Sequence, residues 1–112
     1  MDAPDDTPVV QEIQALLSAP ADGADAPTLE RLEDTLTEGY AQALALEAER
    51  LRLERRLGEV VREAGGGDPS RFTAELASLA ARLRLADGEL ARLRGLLGPL
   101  RERTRSLRVA AP

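Results

Sequence analysis

The chain has no cysteine, no histidine and no tryptophan, and it contains one tyrosine and one phenylalanine. The lack of cysteine excludes a disulfide framework, a thiolate zinc site and a cysteine nucleophile. The lack of histidine removes the commonest general base and the commonest transition-metal ligand. Two aromatic rings are too few to stack nucleic-acid bases. We therefore expect that this chain of 112 residues is not an enzyme and has no catalytic residue, cofactor or metal site.

The charge is unevenly distributed along the chain. Residues 1–28 hold six acidic residues and no basic residue, so their net charge is −6. Residues 29–112 hold 15 arginines and 14 acidic residues, a net charge of +1 that recovers the total of −5. A body of balanced, alternating charge is typical of an exposed helical surface and lacks the basic face of a nucleic-acid binder. We expect no nucleic-acid partner.

The sequence shows neither a membrane span nor a secretion signal. No apolar run approaches the roughly 18 residues that a transmembrane helix needs. The first residues are acidic, whereas a secretory signal peptide begins with basic residues. We therefore expect a cytoplasmic protein with no membrane partner.

Residues 1–27 form an acidic segment that is rich in proline, aspartate and alanine, a composition typical of disorder. One stretch within it, residues 8–18, has apolar side chains at helical spacing, with Thr7 as a suitable N-cap and Pro8 at the first helical position. A helix of about eleven residues is marginal on its own. We expect a mostly disordered tail whose short amphipathic helix at 8–18 docks either on this chain or on a partner.

From residue 28 onward the chain shows the heptad repeat of a coiled coil, in which apolar residues recur at alternating steps of three and four. The interior positions of the first run are Leu29, Leu32, Leu36, Gly39, Ala43, Leu46, Arg50, Leu53, Leu57, Val60 and Ala64. Those of the second run are Phe72, Leu76, Leu79, Leu83, Ala86, Leu90, Leu93, Leu97, Leu100, Thr104 and Leu107. Three glycines separate the runs, and Asp68 and Pro69 suit the start of a helix. We predict helices over 28–64 and 69–107, a turn at 65–68 and a C-terminal tail at 109–112.

The two runs fit together as an antiparallel pair. When Ala64 is placed opposite Phe72 and the pairing is continued to the other ends of both runs, the two residue numbers of every facing pair add to the same total, 136. Acidic residues early in the first helix then lie beside arginines late in the second, which suits both helix dipoles. The predicted fold is all-α, with two long antiparallel helices that form a coiled-coil hairpin over 28–108.

Arg50 interrupts the apolar seam at an interior position opposite Ala86. Glu47 and Glu54 lie three and four residues away on the same helix and can pair with it. In one interpretation the stem of Arg50 covers Ala86 and its charge stays in water. In the other, Arg50 sets the register of the two helices or binds an anionic ligand.

Pro99 lies inside the second helix, where it removes one backbone hydrogen bond and crowds the carbonyl of Gly95. We expect a kink through which the heptad repeat continues. A helix that ends at Leu97 is the alternative.

A second apolar stripe lies outside the seam of the first helix. It consists of Tyr40, Leu44, Ala48 and Leu51, which recur at helical spacing. An exposed stripe of this kind usually marks a surface for a partner. The N-terminal segment, a second copy of the chain or another protein could cover it, and we favour self-association. The predicted function is a non-enzymatic coiled-coil module for protein–protein interaction, as a homodimer or an adaptor.

The stretch from Leu29 to Val61 resembles small uncharacterised helical-hairpin proteins of GC-rich bacteria, which implies no activity. The hairpin shape also resembles the two-helix anti-sigma proteins that bind cyclic di-GMP. That resemblance makes a small regulatory protein of the anti-sigma or ligand-binding hairpin type the alternative function. Those proteins carry E-x3-S-x2-R-x3-Q-x3-D on each helix. Around Ser78 the corresponding residues are Ala74, Ala81, Leu85 and Glu89.

Overall fold

A computed structural model describes residues 7–66 and 68–110, except for the side chain of Pro69. In these residues the chain forms three α-helices and no strand. The helices are α1 (Pro8–Ser18), α2 (Leu29–Ala64) and α3 (Pro69–Ala110). The prediction of an all-helical chain is confirmed, and the two long helices pack against each other. The predicted disorder of residues 1–6, and residues 111–112 of the predicted C-terminal tail, lie outside the described residues.

Each helix begins at a polar residue whose side chain caps a free backbone amide. The hydroxyl of Thr7 accepts a hydrogen bond from the amide of residue 10 at 3.4 Å. The hydroxyl of Thr28 accepts one from the amide of residue 31 at 3.1 Å. The carboxylate of Asp68 accepts one from the amide of residue 70 at 3.1 Å. Because the first amides of a helix have no partner within it, these caps define where the helices start.

The last helix continues through Pro99 and ends at Ala110, beyond the end predicted at 107. Because proline has no amide hydrogen, the carbonyl of Gly95 loses its partner within the helix. Gly95 is exposed, so water can replace that partner. Residues 108–110 are Arg, Val and Ala, none of which breaks a helix, and α3 therefore extends over them.

The chain divides into two compact units. Unit 1 runs up to Ala43 and resumes at Arg92, so it contains α1, the first part of α2 and the last part of α3. Unit 2 is Leu44–Ala91 and contains the remaining parts of the two long helices. Each unit has buried side chains of its own.

In unit 1, α1 lies against the two long helices. Its buried side chains are Val10, Ile13 and Leu16. The carboxylate of Glu12 accepts hydrogen bonds from Nε of Arg31 at 2.9 Å and from the hydroxyl of Thr35 at 3.2 Å. Since burial of an apolar side chain contributes about 1.5–3 kcal/mol, the three buried residues provide most of the attraction. Of the two docking sites left open by the sequence, the structure has α1 on its own chain.

One arginine of α3 holds the end of α1 and the residues that follow it. The guanidinium of Arg103 donates to the carbonyls of Leu16 at 2.6 Å, Leu17 at 3.0 Å, Ala19 at 2.5 Å and Pro20 at 2.6 Å. The last carbonyls of a helix have no partner within it, and a guanidinium carries five donors in a fixed fork. Arg103 therefore caps α1 from another helix and fixes the start of the irregular connection to α2.

Gly39 of α2 lies close to side chains of both other helices in unit 1. A β-carbon at this position would lie 2.6 Å from Cδ2 of Leu97 and 3.5 Å from Cδ1 of Ile13. The first distance is far shorter than any ordinary carbon contact. Gly39 is therefore the residue that gives the side chain of Leu97 its space in the seam.

Unit 2 has a core made by α2 and α3 alone. Its buried apolar residues are Leu46, Leu53, Val60, Leu79, Ala86 and Leu90. Partly buried residues that pack against the core are Leu57, Phe72, Leu76 and Leu83. All of them occupy interior positions of the two heptad runs, so the apolar periodicity of the sequence correctly identifies the buried faces.

Ion pairs join the two helical segments of unit 2 in a regular order. Glu49 pairs with Arg82 at 3.4 Å, and Arg56 pairs with Glu75 at 2.9 Å. As the residue number increases along α2, the number of its partner on α3 decreases. The same holds within unit 1, where residues 33 and 40 of α2 contact residues 108 and 101 of α3.

Candidate docking surface

Three of the four predicted stripe residues form an exposed apolar face on α2 in unit 2. The exposed fraction is 67% for Leu44 and 57% for Leu51, and Ala48 between them is also exposed. Leu46 and Leu53 on the same helical turns are buried. Because residues four and three apart share one side of a helix, Leu44, Ala48 and Leu51 point away from the seam together. We call these three residues the leucine face.

Tyr40, the fourth residue of the predicted stripe, belongs to unit 1. Its side chain is 40% exposed, and its hydroxyl accepts a hydrogen bond from Nη1 of Arg101 at 3.2 Å. Tyr40 therefore has a polar contact with α3 in addition to its exposed ring.

Arg50, the predicted register or anion residue, lies between two carboxylates of its own chain. Its Nε is 3.8 Å from Oε2 of Glu54 and 3.4 Å from Oδ1 of Asp87 on α3. The side chain is 40% exposed, so these ion pairs are weak and accessible to water. An anionic ligand at Arg50 would have to compete with both carboxylates.

The opposite flank of the seam in unit 2 is lined by charge pairs. Arg52 donates a hydrogen bond to Glu49 at 2.8 Å, and this bond is the main cause that holds the pKa of Glu49 below its usual value. A hydrogen bond to Glu75 is the main cause that raises the pKa of Arg56. Both pKa changes favour the charged forms, so this flank presents paired charges and no exposed leucine of α2.

The remaining chemistry of the described residues is limited. No group of three acidic residues is placed to hold a metal ion in the part of the chain that the structure describes. A cavity of about 300 Å³ in unit 1 is lined by Asp22, Ser106 and aliphatic side chains beside Arg103. The guanidinium there already donates to backbone carbonyls. None of the described helices is long and apolar enough to cross a membrane.

Two contacts of these surfaces were absent from the sequence predictions. Asp87 pairs with Arg50 across the seam, although only acidic residues on the same helix were considered. The heptad alignment contained the signal, because Asp87 directly follows Ala86, the residue placed opposite Arg50. Arg103 has no comparable signal, since its partners are backbone carbonyls of α1.

Comparisons with protein-family models, with curated proteins and with solved structures give no match to this chain. The interpretation of the leucine face therefore depends on the physical properties of its residues.

Proposed function

We propose that the chain is a non-enzymatic module for protein–protein interaction, built on an antiparallel coiled-coil hairpin of α2 and α3. The hairpin supplies rigid helices, and the leucine face is the docking surface. Rigid helices suit this role because they present side chains at a fixed spacing, so that little backbone entropy is lost on binding.

The cross-helix contacts support the coiled-coil register. The residue numbers of the pairs 49 with 82 and 56 with 75 add to 131, and those of 33 with 108 and 40 with 101 add to 141. These totals lie five below and five above the seam total of 136. Gly39 and Leu97, which meet in the seam, add to 136 itself. Equal offsets on both sides are expected when charged residues flank the apolar seam of an antiparallel coiled coil.

The observation that carries the proposed function is the exposure of the leucine face. Leu44 and Leu51 remain 67% and 57% exposed although the interior of unit 2 is filled by other residues. They are therefore not needed to complete the core. A contiguous apolar strip on a helix surface, bordered by charged residues, is the usual signature of a helix that docks on a partner.

The double variant Leu44→Asp with Leu51→Asp tests this function. We expect it to lose self-association or partner binding, measured by sedimentation velocity, because burying two carboxylates opposes docking. Its thermal unfolding, followed by circular dichroism, should differ little from that of the wild type, because both side chains are exposed in the folded chain.

Leu85→Asp is the matched control. Leu85 is also an exposed leucine, with an exposed fraction of 71%. It lies three residues after Arg82, which pairs with Glu49, and therefore on the opposite flank of the seam. We expect this variant to associate like the wild type. If the double variant keeps the wild-type mass and binding, the leucine face is not the docking surface.

A further inference from the structure

The side of unit 2 that carries the leucine face also includes a row of residues on α3, three of which are alanines. Arg50 and Asp87 meet on this side of the seam. Counting back from Asp87 in steps of three and four gives Arg84, Ala80 and Ala77, and counting forward gives Ala91. Ala77, Arg84 and Ala91 are exposed, and Ala80 is partly buried. Two leucines on α2 thus lie on the same side as three alanines on α3, which Arg84 and Asp87 separate.

The charges on this side differ between the two helices. On α2, Glu47 and Glu54 each follow a leucine of the face by three residues, so acidic groups border the leucines. On α3, Arg84 is exposed, and the structure gives it no ion pair or hydrogen bond among the described residues. One helix therefore offers leucines with carboxylates. The other offers alanines, an unpaired guanidinium and Asp87, whose carboxylate already pairs with Arg50 of its own chain.

We propose that a second copy of the chain covers the leucine face, with α2 of each copy lying antiparallel on α3 of the other. This inference rests on the proposed docking function and names its partner. Leu44 of one copy then packs over Ala91 of the other, and Glu54 pairs with Arg84 of the second copy. Complementary size and opposite charge at both ends of a two-fold interface satisfy the requirement that one surface patch matches itself.

The register of such a dimer is fixed by symmetry. A two-fold axis parallel to the helices leaves heights along the helices unchanged, so residues whose numbers add to 136 are level in both copies. Leu44 then comes one residue from the height of Ala91, about 1.5 Å. Leu51 likewise comes one residue from the height of Arg84, whose aliphatic stem it can cover. Glu54 comes two residues, about 3 Å, from the height of Arg84, which its long side chain can span.

The alternative two-fold arrangement, in which α2 packs on α2 of the second copy, is disfavoured by charge. It would bring the bordering residues Glu47 and Glu54 of one copy beside the same residues of the other. Like charges that face each other across packed helices are destabilising. Arg84 would then have no acidic partner in the interface.

Two charge-reversed variants that complement each other test the pairing. In the variant Glu54→Arg, position 54 repels Arg84 of the second copy, and in Arg84→Glu, position 84 repels Glu54. We expect each variant alone to raise the dissociation constant of the dimer about tenfold or more in sedimentation velocity. A mixture of the two should form a heterodimer of near wild-type affinity, because both of its ion pairs then join opposite charges.

Two further variants keep the test decisive. Arg71→Glu reverses another exposed arginine of α3 near the turn and should leave the dimer unchanged. Arg84→Gln removes the charge without reversal and should weaken the dimer less than Arg84→Glu, even if the reversed variants fold poorly. A wild-type chain that stays monomeric up to about 0.1 mM overturns the inference.

The outcomes also separate this inference from the proposed function. If the mixture does not form a heterodimer while the double variant at 44 and 51 still abolishes association, the α2-on-α3 pairing is wrong and the docking face stands. If neither set of variants changes association, both are wrong.

Discussion

Replacing Arg103 by alanine will destabilise the docking of α1 by about 2 kcal/mol, within the usual range for hydrogen bonds to charged groups. The substitution removes the donor that serves four backbone carbonyls between residues 16 and 20. Three of these hydrogen bonds are partly buried, so water replaces the guanidinium only incompletely. Hydrogen exchange measures the effect directly, because the amides of α1 should lose protection before those of α3 do.

Two variants accompany this measurement. Arg105→Ala removes an exposed arginine whose partner is Glu102 on the same helix, at 3.7 Å, and should change stability by no more than about 0.5 kcal/mol. Arg103→Lys keeps the charge but loses the planar fork, and it should recover only part of the protection. If the amides of α1 exchange as slowly in the Arg103→Ala variant as in the wild type, the cap contributes nothing to docking.

Replacing Gly39 by alanine will lower the free energy of unfolding by about 1–2 kcal/mol. The new methyl group would lie 2.6 Å from Cδ2 of Leu97, so the buried leucine must move. Overpacking of this kind costs about 1–3 kcal/mol, and the better helix propensity of alanine offsets up to about 1 kcal/mol. Leu97 is only 4% exposed and has little room to adjust. Chemical denaturation monitored by circular dichroism measures the difference in the free energy of unfolding between the variant and the wild type.

Gly95→Ala is the matched control for Gly39→Ala. Both glycines lie inside a helix of unit 1, but a β-carbon at position 95 has no neighbour within 4 Å. Alanine should therefore stabilise the chain there by up to about 1 kcal/mol through helix propensity alone. We expect the free energy of unfolding to fall in Gly39→Ala and to rise in Gly95→Ala. If Gly39→Ala stabilises the chain as much as Gly95→Ala, the helices do not approach closely at residue 39.

The elements of the fold that local signals encode could be predicted from the sequence. Thr7 and Asp68 are predicted N-cap residues and lie at the helix starts in the structure. Thr28, predicted as the first helical residue, is the residue that caps α2. The apolar periodicity identified the buried positions of the two long helices because one face of each is covered along its length. The end of α3 was less predictable, since no glycine or proline marks it before residue 110.

The contacts of α1 could not be predicted from periodicity. A short amphipathic helix has the same pattern whether it packs on its own chain or on another protein. Its polar anchors, Glu12 with Arg31 and Thr35, join residues far apart in sequence. Arg103 is one of 15 arginines, and its neighbours in sequence do not distinguish it. Only the folded structure shows which guanidinium meets the end of α1.

The candidate docking surface could be predicted from the sequence only in part. That Leu44, Ala48 and Leu51 share one helix face follows from helical spacing, and the structure leaves all three exposed. The small residues and Arg84 on α3 became relevant only when the packing placed Asp87 against Arg50. A cross-helix arrangement of this kind depends on the register of two helices and is not apparent from either helix alone.

Covering of the leucine face is tested most directly by the reactivity of a thiol at its centre. The chain contains no cysteine, so Ala48→Cys introduces a single thiol, and Leu85→Cys introduces one on α3 as a control. The labelling rate is measured over a series of protein concentrations. We predict that the rate at position 48 falls several-fold as the concentration rises, while the rate at position 85 stays constant. A labelling rate at position 48 that is the same at every concentration would contradict the proposal that a second copy covers this face.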